Sequence, residues 1–153
     1  MKAYLRRHFH FEFRWAEHIG RDKGCDYVVR WVLVLFGYGL RLHHWLKDDD
    51  QRYYHDHPWW FLSIMLRGGY TDLSPLPGGG EQADHVTAGQ WRLRPAKWQH
   101  KVRVDPGGAW TLLVTGPKVR NFGFWVPRKD KHGWMRLVRY LDYFHTYGHH
   151  QCK

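Results

Sequence analysis

Glutamate is scarce in this chain. Only Glu12, Glu17 and Glu81 occur, beside three methionines, in 153 residues. So thin a supply of strong helix formers argues against a mostly helical protein. It also removes the glutamate pair that a two-carboxylate glycosidase would bring to a cleft. Cysteine is sparse too: Cys25 and Cys152 stand near opposite ends, with no CxxC pair and no disulfide framework, which fits a reducing, cytoplasmic setting. The longest apolar run, Tyr27 to Leu40, is short and carries Arg30, so no membrane span is expected. The opening MKAYLRRHFHFEF lacks the continuous apolar stretch of a secretory signal. There is no GxSxG, and Gly78-Gly79-Gly80 lacks the Lys-Ser/Thr of a phosphate loop.

Aromatic residues and positive charge are plentiful. Ten Trp, nine Tyr and eight Phe make up 18% of the chain, and such rings pack well on pleated surfaces. The length suits one compact domain, taken as 1–148, with 149–153 (HHQCK) as a loose tail. The net charge is +10 with histidine neutral, which attracts anions. The basic residues are scattered and form no recognisable nucleic-acid motif. A cationic mouth around a small anionic molecule is therefore the leading expectation, with nucleic acid as the lesser one.

Hydrophobic patterning supplies mostly strands. Residues 8–15 (HFHFEFRW) alternate strictly, and 16–26 read as a loop or short helix. Strands are expected over 27–36, 40–46, 54–67, 86–94, 100–104, 109–115 and 119–126. Asp105-Pro106-Gly107-Gly108 has the composition of a hairpin turn. After Pro127 the period changes: Trp134, Leu137, Val138, Leu141 and Phe144 stand at helical spacing, so a helix is expected over 134–144. Many short strands with Gly/Pro turns indicate an all-β sandwich or barrel.

Chemistry concentrates in one stretch, His55-Asp56-His57-Pro58-Trp59. Residues i and i+2 of a strand point to one side, so His55 and His57 project together. Asp56 faces the other way, toward backbone or an arginine. Two imidazoles on one face can ligate one metal ion. His43 and His100 are further candidates.

These residues resemble the cupin superfamily, small β-barrel or jelly-roll proteins whose first motif runs G-x5-H-x-H-x3–4-E-x6-G and whose second runs G-x5-P-x-G-x2-H-x3-N. Here His55 and His57 supply the pair and Gly68 or Gly69 the closing glycine, while Gly89, Pro95 and His100 stand at second-motif spacing. The chain departs at three points. The motif glutamate falls on Phe61 or Leu62, the internal glycine is Lys97, and the final asparagine is Val104.

The resemblance implies a single-domain cupin barrel with a metal centre of His55, His57 and His100, with His43 as an added ligand or a partner to one. A three-histidine set is similar to that of thiol-dioxygenase-type cupins. That implies iron first, then zinc, manganese or nickel, and oxygenase-like chemistry. A non-catalytic module for a small ligand or sugar is the alternative. Arg41, with one of Arg67, Arg92 or Arg94, is expected to fix an anionic substrate, because the guanidinium fork matches carboxylate and phosphate. Trp59 is expected on the barrel wall beside them. The apolar N-terminal and 27–36 strands, and the pairing of such barrels across a two-fold, lead to the expectation of a homodimer.

Overall fold

The computed structural model describes residues 11–20, 26–49, 53–127 and 133–137. These form ten strands: β1 Phe11–Gly20, β2 Asp26–Leu35, β3 Tyr38–Trp45, β4 Tyr54–Asp56, β5 Phe61–Pro75, β6 Glu81–Thr87, β7 Trp91–Arg94, β8 Lys101–Thr115, β9 Gly123–Pro127 and β10 Trp134–Leu137. No helix occurs among the described residues, and none there is long and apolar enough to cross a membrane.

All pairings are antiparallel. The large sheet has the order β1-β2-β3-β8-β5-β6, with β7 also on β5; the small sheet is β10-β9-β4. The expected barrel is not closed. Among the described residues, the ladder contact that ties the small sheet to the large one is an isolated bridge between His55 and His100. His55 N donates to His100 O at 2.9 Å and His100 N to His55 O at 3.0 Å.

β5 and β8, fifteen residues each, are the spine. Both bend at one level. The register shifts at Met65/Arg67 and again at Gly68/Tyr70, where Gly68 takes φ +74° and a Cβ would run into the Gly108 carbonyl oxygen. The residues read as a 105–108 hairpin turn lie inside β8 instead. Their glycines take φ +95° and +80° to follow the bend of β5, a conformation glycine adopts without strain. Below the bend sits the core of Met65, Tyr70, Val86, Val102 and Ala109, with Trp45 packed against it. Trp45 Nε1 donates to Thr111 Oγ1 at 3.1 Å, so the indole is buried with its polar atom satisfied.

Two further expectations change. Residues 16–20 are not loop, because β1 runs to Gly20 through a bulge between Arg14 and Glu17, with Ala16 at φ +47°. The extra residue brings Glu17 to the same side as Arg14. From there Glu17 accepts from Arg30 Nε at 2.5 Å and from Arg14 Nη1 at 2.6 Å. The expected helix begins as a strand: Trp134–Leu137 pair with Phe124–Pro127 of β9. Pairing there overrides a helical spacing that Trp134 and Leu137 alone only suggest. Residues 138–144, 149–153 and 8–10 lie outside the described residues.

Candidate metal centre

Two remote segments supply the centre. β4 carries His55 at its middle, and His57 follows at its end. His100 stands at the mouth of β8, after the Pro95–Trp98 turn, in which Trp98 N donates to Pro95 O. The backbone bridge between His55 and His100 fixes the distance between the segments, so the three rings meet. His57 Nε2 lies 2.8 Å from His100 Nε2, and one ligand atom from each of the three histidines lies within 4.8 Å of the others.

Two of the rings are backed by a carboxylate. His100 Nδ1–H donates to Asp72 Oδ1 at 2.7 Å, which leaves Nε2 as the ring's free donor atom. Burial opposes the charge on Asp72, yet His100 and Arg94 hold its carboxyl below the usual range. His55 Nδ1 faces Asp49 Oδ2 at 3.6 Å. Neither atom has a hydrogen-bond partner, while Asp49 Oδ1 accepts from Val102 N at 3.0 Å. Burial pushes the Asp49 carboxyl well up and both His55 and His57 well down. His55 and His57 are therefore neutral at pH 7, the protonation state a metal ligand needs.

The residues fit a metal ion. Two nitrogens bound at about 2.1 Å stand about 3 Å apart when adjacent at right angles, and the His57–His100 pair already has that spacing. The remaining surroundings are apolar rings. Phe61, where the motif glutamate would fall, lies 4.7 Å from the His57 ring, and Phe122 stacks on His55 at 5.3 Å. No carboxylate joins the histidine group among the described residues.

Other expected residues divide. Arg41 lies over Trp59 at 4.5 Å, and Trp59 in turn is 5.9 Å from the His57 ring. Arg41 Nε and Trp59 Nε1 are both buried without a hydrogen-bond partner. Burial, with Arg30 nearby, brings the Arg41 guanidinium down to about 10. His43 stands outside the group of three histidines. Both its ring nitrogens are buried and unpartnered, and burial brings it down to about 3.

Arg94 and Arg92 are engaged elsewhere. Arg94 reaches Asp72 at 3.3 Å and Asp84 at 2.8 Å and lies over Trp98 at 4.3 Å. Arg92 holds Asp84 with two bonds of 2.6 and 2.7 Å. Arg67 pairs in register with Trp110 on the outer side of the sheet and is exposed. Geometry thus leaves Arg41 as the arginine beside the centre. Asp72, Asp49 and Phe122 escaped the sequence reading. A lone aspartate two residues after Tyr70 and two before Ser74, on one face of a strand, was the available signal for Asp72.

Comparison with solved structures identifies the architecture. Oxalate decarboxylase from Bacillus subtilis, in a structure at pH 4.6, superposes with a TM-score of 0.51 at 14% identity, over 72% of this chain and 28% of that one. Fe(II) HppE superposes with a TM-score of 0.54 at 15% identity, over 69% of this chain and 56% of that one. Both are metalloenzymes of one architecture.

This is a cupin fold. The chain spans about a quarter of the length of the decarboxylase and about half that of HppE. Another structure of the Bacillus subtilis decarboxylase, described for its Mn(II) centres, matches with a TM-score of 0.51 at 14% identity. No family model and no curated protein matches the sequence. Among the described residues, the histidines lie at the bridged corner of the two sheets.

The buried imidazoles make the metal-free protein acid-sensitive. His43 titrates near 6.5 when unfolded and near 3 when folded. Its contribution is present above pH 6.5 and is lost as the pH falls through that window, by up to about 1.4 kcal/mol per pH unit. His55 and His57 act in the same sense, and Asp49, shifted upward, in the opposite one. Three imidazoles outweigh one carboxyl. The urea midpoint of chelator-treated protein should therefore fall steadily from pH 7 to pH 5, and a flat or rising midpoint would contradict the burial of neutral histidines.

Proposed function

We propose that this cupin binds one divalent transition metal through His55, His57 and His100 and acts with it on a small anionic molecule. The observation that carries this reading is the meeting of three buried imidazoles from two remote segments, with Phe61 in place of a fourth protein ligand. Iron is the first choice and manganese the next, in line with the Fe(II) and Mn(II) of the structural neighbours. Zinc and nickel also suit imidazole. When bound, such an ion supplies Lewis acidity, and iron or manganese adds redox capacity for oxygenase-like chemistry.

The chain's own residues then bind and orient. Arg41 Nε and Trp59 Nε1 are two orphan donors on the side of His57. Buried donors of this kind seek acceptors, and a carboxylate or similar anion supplies them. Asp72 holds the His100 tautomer, and Phe61 and Phe122 keep water from the ring faces. The same apolar walls favour a second reading, a non-catalytic module that holds a small ligand among these rings without depending on a metal.

Metal content tests the proposal. Untagged protein is purified and analysed for Fe, Mn, Zn and Ni, before and after incubation with each ion. About one equivalent per chain is expected. A substoichiometric content that none of the four ions restores would favour the module.

A further inference from the structure

The turn between β2 and β3 is built on an unusual residue. Leu35 and Tyr38 pair across it, so Phe36 and Gly37 alone connect the two strands. Both take positive φ, +53° and +83°, the signature of a type I′ hairpin turn. Such a turn asks for asparagine, aspartate or glycine at its first central position, because a Cβ crowds the backbone there. A bulky phenylalanine is poorly suited to it. Burial recovers little of the strain, since Phe36 is 62% exposed. Strain kept at an exposed position points to a use outside the fold.

The surroundings repeat the pattern. Phe11 pairs with Leu35, and Leu35 with Tyr38. By strand alternation the three side chains form one row beside Phe36, on the outer face, away from Arg41 and His43 on the inner one. They are 67%, 44% and 56% exposed. The loop after β8 lies against the turn: a Cβ on Gly37 would stand 3.7 Å from the Cβ of Pro117. That loop adds Val119, 71% exposed, and Lys118, also exposed. The segments LFGYGL (35–40) and GPKVRN (116–121) contain no acidic residue. Lys118 makes no ion pair among the described residues. Arg120 shares Asp56 with Arg136, two cations on one carboxylate, so that group is net positive too. Glu12, next to Phe11, is held by Arg14 at 2.6 Å.

We propose that this tip anchors the chain on an anionic lipid surface, with Phe36, Leu35, Tyr38 and Phe11 in the boundary between headgroups and acyl chains and Lys118 among the headgroups. Apolar side chains flanked by cations are what an interfacial anchor needs, and no span of the bilayer is involved. The amphipathic ring of Tyr38 suits headgroup level. Each cation near the surface adds attraction that salt screens, and the net charge of +10 acts in the same sense over the rest of the chain. Shape favours the same occupant. A two-residue turn is a convex point rather than a flat face, and it enters a fluid layer without a matching cavity. The anchor also lies one loop from the histidines. Val119 N and Arg120 N donate to Pro58 O at 2.8 and 3.2 Å, and Pro58 follows His57.

The test sediments the full untagged chain with phosphatidylcholine vesicles and with vesicles of equal parts phosphatidylcholine and phosphatidylserine. Binding to the mixed vesicles is expected, weaker on phosphatidylcholine alone and weaker in high salt. Phe36→Asn is the decisive variant. Asparagine suits the turn, so the urea midpoint should rise, while vesicle affinity should fall by about 10-fold or more with loss of the ring. Opposite movement of the two readouts is what a ring that only packs against the fold would not produce. Lys118→Glu, at an exposed position, should lower affinity for the mixed vesicles by about 10-fold and leave the urea midpoint unchanged. Wild-type protein that ignores the mixed vesicles overturns the proposal, and self-association lost in Phe36→Asn would then assign the tip to a contact between chains. A folded Phe36→Asn that binds as the wild type does overturns it equally. If midpoint and affinity fall together in Phe36→Asn, Lys118→Glu decides, and unchanged binding by that variant overturns the proposal. None of these outcomes depends on metal content.

Discussion

Replacing Asp56 by alanine is expected to cost the fold about 3–5 kcal/mol, measured as the free energy of unfolding in urea at pH 7. The residue is fully buried and is clasped by three side chains. Arg136 donates through Nε at 2.8 Å and Nη2 at 2.7 Å, Trp125 Nε1 donates at 3.0 Å, and Arg120 lies at 3.2 Å. Removing the carboxylate leaves two guanidinium groups and an indole without the acceptor that brought them together. Arg136 is only 19% exposed, so water restores little of what is lost. An exposed pair would cost at most about 1 kcal/mol, and a loss that small would show that the cluster is not the clamp its geometry describes. The clamp joins β4, β9 and β10, and β4 carries His55. Metal binding should therefore weaken as well, with a smaller effect than loss of a ligand.

How far the sequence foretold this arrangement depends on the range of the interaction. The orientation of the His55-Asp56-His57 triplet follows from strand alternation, a local rule, and the structure has both rings at the histidine cluster and the carboxylate on the opposite side, toward Arg136 and Trp125. The second-motif spacing placed His100, because a turn and a strand mouth are also local. Strands β2, β3 and the first part of β5 were visible in their β-branched and aromatic runs. The role of Arg94 was not. Alternation put it on the inner face, but its fate is decided by Asp72 and Asp84, which strand pairing brings from other strands. The bulge at Ala16 hid the end of β1, since one added residue reverses the alternation on which a strand is recognised. Gly107 and Gly108 looked like a turn because positive φ is what turns require, and a strand that bends with its neighbour requires it too. Trp134 and Leu137 show the limit from the other side. Two apolar residues three apart fit a helix, but pairing with β9 decides.

Replacing His100 by alanine is expected to weaken metal binding by more than about 100-fold while leaving the fold in place. The main-chain bonds between residues 55 and 100 involve no side chain, so the corner of the two sheets survives. Asp72 loses its imidazole but keeps Arg94 at 3.3 Å, so a buried carboxylate is not left alone, and the loss of stability should stay near about 1–3 kcal/mol. Asp72→Asn is the informative companion. The amide oxygen still accepts from Nδ1–H and keeps the tautomer, but the negative charge that strengthens the ring as a ligand is gone. A loss of about 10-fold is expected for it, at the lower end of the effect of such supporting groups. Metal content after dialysis against a graded chelator reads both variants on one scale. Equal, near-complete loss in the two would mean that the carboxylate governs ring placement rather than ring basicity. Retention of a full equivalent by His100→Ala would mean that the ion sits elsewhere, because two imidazoles from the β4 segment alone would then have to hold what three were needed to enclose.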